Sequence, residues 1–165
     1  MKKILCLTLA CILLLALAAC GDGTTYADTL SVSRLGAEAR AALKDQKDYT
    51  VADSGYLDDF FFLPSYVTEH TVFFSTEGND INEIGIFHVT EGNAQTMATT
   101  LSNYLTDSYE QNAAWYDSYI PQETPKLRDA EVRVFGNYVI YGILSDADRT
   151  TVFDALRDLL TQEKE

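Results

Sequence analysis

The spacing of apolar residues changes several times along the chain, and each change marks an element. Ile4 to Ala19 is an almost unbroken apolar run preceded by Lys2 and Lys3, and Gly21 to Thr29 is short, small and polar. Leu30, Leu35, Ala39, Ala42 and Leu43 then recur at helical spacing among good helix formers, which predicts an amphipathic opening helix of three or four turns. Asp48 to Gly55 reads as loop. The dense cluster from Tyr56 to Leu63, with Phe60, Phe61 and Phe62 inside it, ends at Pro64 and reads as a core plug. From Tyr66 to Thr76 and from Asn82 to Val89 the residues are β-branched and aromatic, and Glu77-Gly78-Asn79-Asp80 between them signals a hairpin. Asn93 reads as the N-cap of a long helix reaching to about Tyr119, with Ala94, Met97, Ala98, Leu101 and Leu105 as its buried stripe and Pro121 as its stop.

A second hairpin follows, and its register can be derived. A two-residue turn at Gly136-Asn137 sets Phe135 against Tyr138, Val134 against Val139 and Val132 against Tyr141. Val132, Val134, Val139, Tyr141 and Ile143 then share one face, while Phe135, Tyr138, Ile140 and Leu144 share the other. Both faces are largely apolar, so each needs a cover. Asp146 reads as the cap of a closing helix with the stripe Val152, Phe153, Leu156, Leu159 and Leu160. The order predicts an α+β fold: a single antiparallel sheet of about four strands, in two hairpins, packed by a long central helix, a C-terminal helix and an N-terminal helix. The long and C-terminal helices are expected on one face, with the opening helix and the phenylalanine cluster on the other.

The first twenty residues carry the strongest signal of location. An apolar run of sixteen residues is shorter than the ~20 a spanning helix needs and sits behind two lysines, as a removable leader does. Leu17-Ala18-Ala19-Cys20 resembles the bacterial lipobox. That resemblance implies cleavage before Cys20, a diacylglyceryl group on its sulfur, and a mature chain facing outside the cytoplasm and held to the cell membrane by its first residue, as on a Gram-positive surface. The expected organisation is a signal peptide over 1–19, a lipidated linker over 20–29 and one α+β domain over 30–163.

Charge and cysteines narrow the partners. The chain has 12 Lys and Arg against 25 Asp and Glu, and losing Lys2 and Lys3 with the leader leaves ten against 25, a balance of −15. Such a surface repels phosphate backbones and anionic lipid headgroups, so nucleic acid is excluded as a partner and the lipid alone is expected to tether the domain. Cys6 and Cys11 leave with the leader and Cys20 is spent on lipid, so no thiol chemistry and no disulfide remain.

Few constellations in the rest of the chain carry chemistry. If the first hairpin closes with a loop from Glu77 to Ile81, His70 faces His88 on the face that carries Val72, Phe74, Ile84 and Ile86, and a one-residue slip separates them. Two imidazoles fall short of the three or four ligands zinc takes, so no metal site and no cofactor are expected, with His70 and His88 the pair to examine. No glycine-flanked serine elbow, Ser-x-x-Lys or His-Glu-x-x-His is present. Asp58-Asp59 is an adjacent pair that a strand would point apart, and Asn79-Asp80 with Glu83 lacks the oxygen spacing of a calcium loop. Trp115, Tyr116 and Tyr119, with Tyr109 two turns earlier, are expected at the core or its edge, with one or two left exposed because the four do not share a face.

From about Tyr66 to Leu160 the chain resembles the bacterial lipoprotein domain known as domain of unknown function 4358. The resemblance rests on Glu83-Ile84 with Ile86-Phe87 entering a long helix, then Tyr119-Ile120-Pro121-Gln122-Glu123, Lys126-Leu127-Arg128-Asp129-Ala130, Gly136-Asn137-Tyr138-Val139 and Ser145-Asp146. The family implies a location and an architecture but no activity. The expected function is a membrane-anchored extracytoplasmic lipoprotein serving as a non-catalytic binding or accessory module for an envelope protein. The alternatives are a cell-wall or peptide hydrolase, or a metal or solute receptor. A shallow apolar patch around Tyr138 and Ile140 is expected to mark a binding module.

Overall fold

A computed structural model of the chain describes residues 24–44, 48–53, 56 and 63–162. The leader, Cys20 and the Phe60–Phe62 cluster lie outside the described residues. Within them the order is α1 (Val32–Ala42), β1 (Tyr49–Val51), β2 (Val67–Ser75), β3 (Glu83–Val89), α2 (Ala94–Tyr119), α3 (Thr124–Arg128), β4 (Glu131–Phe135), β5 (Tyr138–Ile143) and α4 (Asp146–Gln162). The strands form one antiparallel sheet in the order β1-β2-β3-β5-β4. The fold is α+β, with one strand more than the pattern predicted. The addition is β1, three residues inside a segment read as loop, which pairs along the edge of β2 from Tyr49–Ser75 to Val51–Phe73.

The second hairpin takes the register derived from its turn, with Phe135 facing Tyr138 and Val132 facing Tyr141. Gly136 supplies the positive φ of 61° that the tight turn requires. The two faces of β5 therefore part as expected. Val139, Tyr141 and Ile143 join Met97, Ala98, Leu101 and Leu105 of α2 in one core, and Tyr138, Ile140 and Phe135 enter the other.

The cover of that second core differs from the expectation. The closing helix α4 packs beside α1, not beside α2: Val152, Phe153, Leu156 and Leu160 meet Leu35, Ala39 and Leu43 over Phe73, Ile84 and Ile86. Strand alternation explains the choice. Leu144, the residue that leads out of β5, belongs to the face of Tyr138 and Ile140, so the chain enters α4 on that side. The cap also shifts by one residue. Ser145 accepts the Asp148 N–H at 3.2 Å on its Oγ and donates that hydroxyl to Asp148 Oδ2 at 2.6 Å, where Asp146 was expected to cap. At α2, Asn93 precedes the helix but its amide is turned to Thr90 Oγ1 at 2.9 Å, leaving the helix without a side-chain cap.

Residues read as linker are docked on this second core. Ala27 is buried and its N–H donates to Leu160 O at 2.8 Å, Tyr26 meets Phe135 edge to face at 5.5 Å, and Tyr138 Oη donates to Leu30 O at 2.6 Å.

Candidate functional site

The first hairpin is offset by one residue from its expected register. Phe74 faces Glu83 and Ser75 N donates to Asn82 O at 2.9 Å, so the loop runs from Thr76 to Ile81. His70 consequently faces Phe87 and lies over its ring at 6.3 Å, while His88 faces Glu69 on the opposite side of the sheet. The two histidines are not a cross-strand pair. Among the described residues no three His, Cys, Asp or Glu side chains cluster as metal ligands.

Glu83 faces Ile143 across the β3–β5 pairing and so lies on the α2 face, where sequence reasoning placed no special residue. Its carboxylate is buried and accepts three tyrosine hydroxyls: Tyr141 at 2.5 Å and Tyr104 at 2.9 Å on Oε1, and Tyr56 on Oε2. Gly85 makes the convergence possible. It stands opposite Tyr141, whose ring occupies the space a Cβ at that position would need. Burial first, and then the Glu83 charge, push the hydroxyls of Tyr141, Tyr104 and Tyr56 far above the ordinary phenol range. All three remain donors at any physiological pH, and Glu83 has its oxygens filled by them. Three donors around one buried carboxylate meet the condition for keeping a charge in a core. The sequence did hold a signal, since Glu83 opens an otherwise apolar strand, Ile84-Gly85-Ile86-Phe87.

A second polar knot ties the hairpin loop to α3. Lys126 Nζ lies 2.5 Å from Asp80 and 2.7 Å from Glu123, and Glu123 also accepts Ile81 N–H at 3.2 Å. Burial works to lower the Lys126 ammonium, but the hydrogen bonds and charges of Asp80 and Glu123 override it and hold it above its usual value. Asp80 and Glu83 therefore serve separate centres.

Among the described residues, the large aromatic side chains most open to solvent are at the C-terminal end of α2. Trp115 is 54% and Tyr119 70% exposed, their rings 5.0 Å apart, and Tyr116 meets Trp115 edge to face at 5.4 Å while resting against the α2 core. Tyr109 and Tyr116 rest against the core, and Trp115 and Tyr119 are the two left exposed. Around them α2 carries Asp107, Glu110 and Asp117, all exposed, and no Lys, Arg or His. Tyr138 and Ile140, expected to mark an apolar patch, are completely buried. Among the described residues no helix is long and apolar enough to cross a membrane.

The model of the family described as a domain of unknown function, DUF4358, matches residues 42–144. The chain belongs to this family. The matched span is more than half of the chain and takes in the whole sheet, the Glu83 centre and the aromatic end of α2. It leaves Asp28, most of α1 and all of α4 outside the DUF4358 region. No curated protein and no solved structure matches the chain.

Proposed function

We propose that this DUF4358 protein is a lipid-anchored component of the outer face of the cell membrane, and that its domain docks another envelope protein through the exposed end of α2. The observation that carries the docking surface is the exposed pair Trp115 and Tyr119. Large aromatic rings left in solvent on an otherwise well-buried domain are costly unless a partner covers them, and such rings dominate the energetics of interfaces. Charge selects the partner. Asp107, Glu110 and Asp117, together with the negative end of the α2 dipole, favour an apolar surface rimmed with Lys and Arg.

The anchor is supported by the lysines, the apolar run and Leu17-Ala18-Ala19-Cys20. Two acyl chains bury enough methylenes for stable attachment, at roughly 0.8 kcal/mol each. The tether is short. Residues from Tyr26 onward are docked, so the chain from Cys20 to Tyr26 can reach at most ~21 Å even when extended, and the domain is held close to the headgroups.

Two experiments separate the halves of this reading. Cys20→Ala should release a folded domain into the medium, and a variant retained at the membrane overturns the anchor. Photo-crosslinking from position 118, exposed beside Tyr119, in living cells should capture a protein with a basic, apolar contact surface. That capture should weaken as ionic strength rises and vanish in Trp115→Ala/Tyr119→Ala. Recovery of this chain alone under every growth condition overturns the docking surface.

A further inference from the structure

The β2–β3 ladder contains one irregularity. Val67 faces Val89 and Glu69 faces His88, which leaves Thr68 as an extra residue between them. A bulge of this kind re-aims one side chain, and bulges are over-represented beside active sites. In an unbroken ladder Thr68 would alternate with Glu69 and turn away from the face of His88. Instead its Oγ1 lies 2.6 Å from His88 Nδ1. The other ring nitrogen, Nε2, lies 2.9 Å from Asp28 Oδ1, and Asn137 Nδ2 donates to Asp28 Oδ2 at 3.0 Å. Tyr138 packs on the imidazole with ring centres 4.6 Å apart.

Thr68 Oγ1 also lies 3.1 Å from the His88 carbonyl oxygen, a second acceptor for its proton, and one assignment of protons joins the hydroxyl, the ring and the carboxylate. The Thr68 hydroxyl donates to Nδ1, the Nε2–H donates to Asp28, and the Asn137 amide orients the carboxylate from behind. The three groups come from distant parts of the chain, before α1, in the bulge and on β3, and meet at the wall of a cavity of about 570 Å3 that Tyr26, Thr90 and Glu91 also line. A hydroxyl bonded to an imidazole whose far nitrogen is bonded to a fixed carboxylate is the arrangement that activates an alcohol as a nucleophile, and it is recognised by geometry and roles.

We propose that Thr68, His88 and Asp28 form an acyl-transfer site that hydrolyses small carboxylic esters. Thr68 Oγ1 attacks the ester carbonyl carbon as its proton passes to His88 Nδ1, and Asp28 stabilises the resulting imidazolium through Nε2–H. As the carbon–oxygen bond to the leaving alcohol breaks, the Nδ1 proton goes to that oxygen. Water then attacks the threonyl ester, giving its proton to Nδ1, and the proton returns to Thr68 Oγ1 as the acid departs. The balance is one ester and one water consumed, with one acid and one alcohol formed. Asp28 and Glu91 at the wall disfavour anionic substrates, so neutral or cationic esters fit.

This site is separate from Trp115 and Tyr119 and goes beyond the docking function. The test uses the full-length chain in detergent with p-nitrophenyl acetate and a fluorophosphonate probe. Expected are ester hydrolysis, a probe adduct located on Thr68 by mass spectrometry, loss of both in Thr68→Ala, and retention of both in Thr68→Ser. His88→Gln should lower the rate on the order of 10²–10⁴-fold. Gln111→Ala, on the exposed side of α2, should leave hydrolysis unchanged. A purely structural clasp predicts altered melting in these variants but no adduct on Thr68 of the wild type. That result, or equal hydrolysis by wild type and Thr68→Ala, overturns the proposal.

Discussion

Gly85→Ala tests whether the Glu83 centre holds the sheet together. Gly85 does not lie at positive φ, so the cost of the added methyl is one of space alone. An ideal Cβ would sit 2.1 Å from Tyr141 Cε1, 2.7 Å from Cζ and 2.8 Å from Cδ1. The ring is completely buried and its hydroxyl is committed to Glu83 at 2.5 Å, so it has no easy exit. Displacing it carries an overpacking cost of about 1–3 kcal/mol. Losing a hydrogen bond to a buried charged acceptor adds about 1.5–3 kcal/mol. The stiffer unfolded chain returns about 0.4–1 kcal/mol. A net loss of about 2–5 kcal/mol is expected, a large share of the ~5–15 kcal/mol typical of a domain. Urea unfolding followed by circular dichroism measures it. Tyr141→Leu removes the obstructing ring, so Gly85→Ala should cost far less in that background, with a coupling of at least ~1 kcal/mol. A Gly85→Ala loss below ~1 kcal/mol, or costs that simply add in the double variant, would refute the reasoning.

Alkaline pH should unfold the domain through its buried phenols. Because the folded state holds Tyr104 and Tyr141 protonated well above their unfolded value, stability is fully present below about pH 10 and falls above it by roughly 1.4 kcal/mol per pH unit for each. Absorbance at 295 nm should show these tyrosines ionising only as the fold is lost, and their free titration near pH 10 in the folded protein would contradict the Glu83 network. Tyr104→Phe should cost about 1–3 kcal/mol in urea unfolding by removing a buried donor to a carboxylate, whereas Tyr119→Phe, at an exposed site, should stay within about 0.5 kcal/mol. Lys126→Ala should cost about 3 kcal/mol or more, because Asp80 and Glu123 are left facing each other without their cation. A loss under ~1 kcal/mol would show that loop and α3 are not tied by this knot.

What the pattern of residues revealed, and what it hid, follows from how each choice is paid for in contacts. Gly136-Asn137 fixes its hairpin because few residues tolerate the turn, and the register of β4 with β5 follows from it. The loop before β3 has no such constraint. Both faces of β2 carry large apolar residues at its C-terminal end, so a slip by one residue exchanges Val72 and Phe74 for Phe73 at little cost visible in the sequence. The side of the sheet taken by α4 was legible in Leu144, but the apolar stripe of α4 fits either face equally well. Trp115 and Tyr119 were drawn toward the core by their size, yet they lie beyond Leu105, the last buried residue of α2, and among the described residues their rings meet each other and Tyr116. Asp28, Thr68 and His88 were invisible as a group because only the folded chain brings residues this far apart in sequence together.

The buried centre and the exposed triad are products of one pairing decision. Glu83 can be buried only where Tyr141, Tyr104 and Tyr56 reach it, and this pins β3 against β5 and α2 with Gly85 under the Tyr141 ring. With β3 so fixed, β2 must pair Phe74 with Glu83 for Phe73 and Ile84 to share the core beneath α1 and α4. At the other end of the same two strands Val67 pairs with Val89, which is one residue out of step. The mismatch has to be absorbed between those points, and it falls at Thr68. A loosened Glu83 centre therefore relaxes the register that places the Thr68 hydroxyl on His88, so Gly85→Ala should weaken any chemistry at that site although the two lie on opposite faces of the sheet.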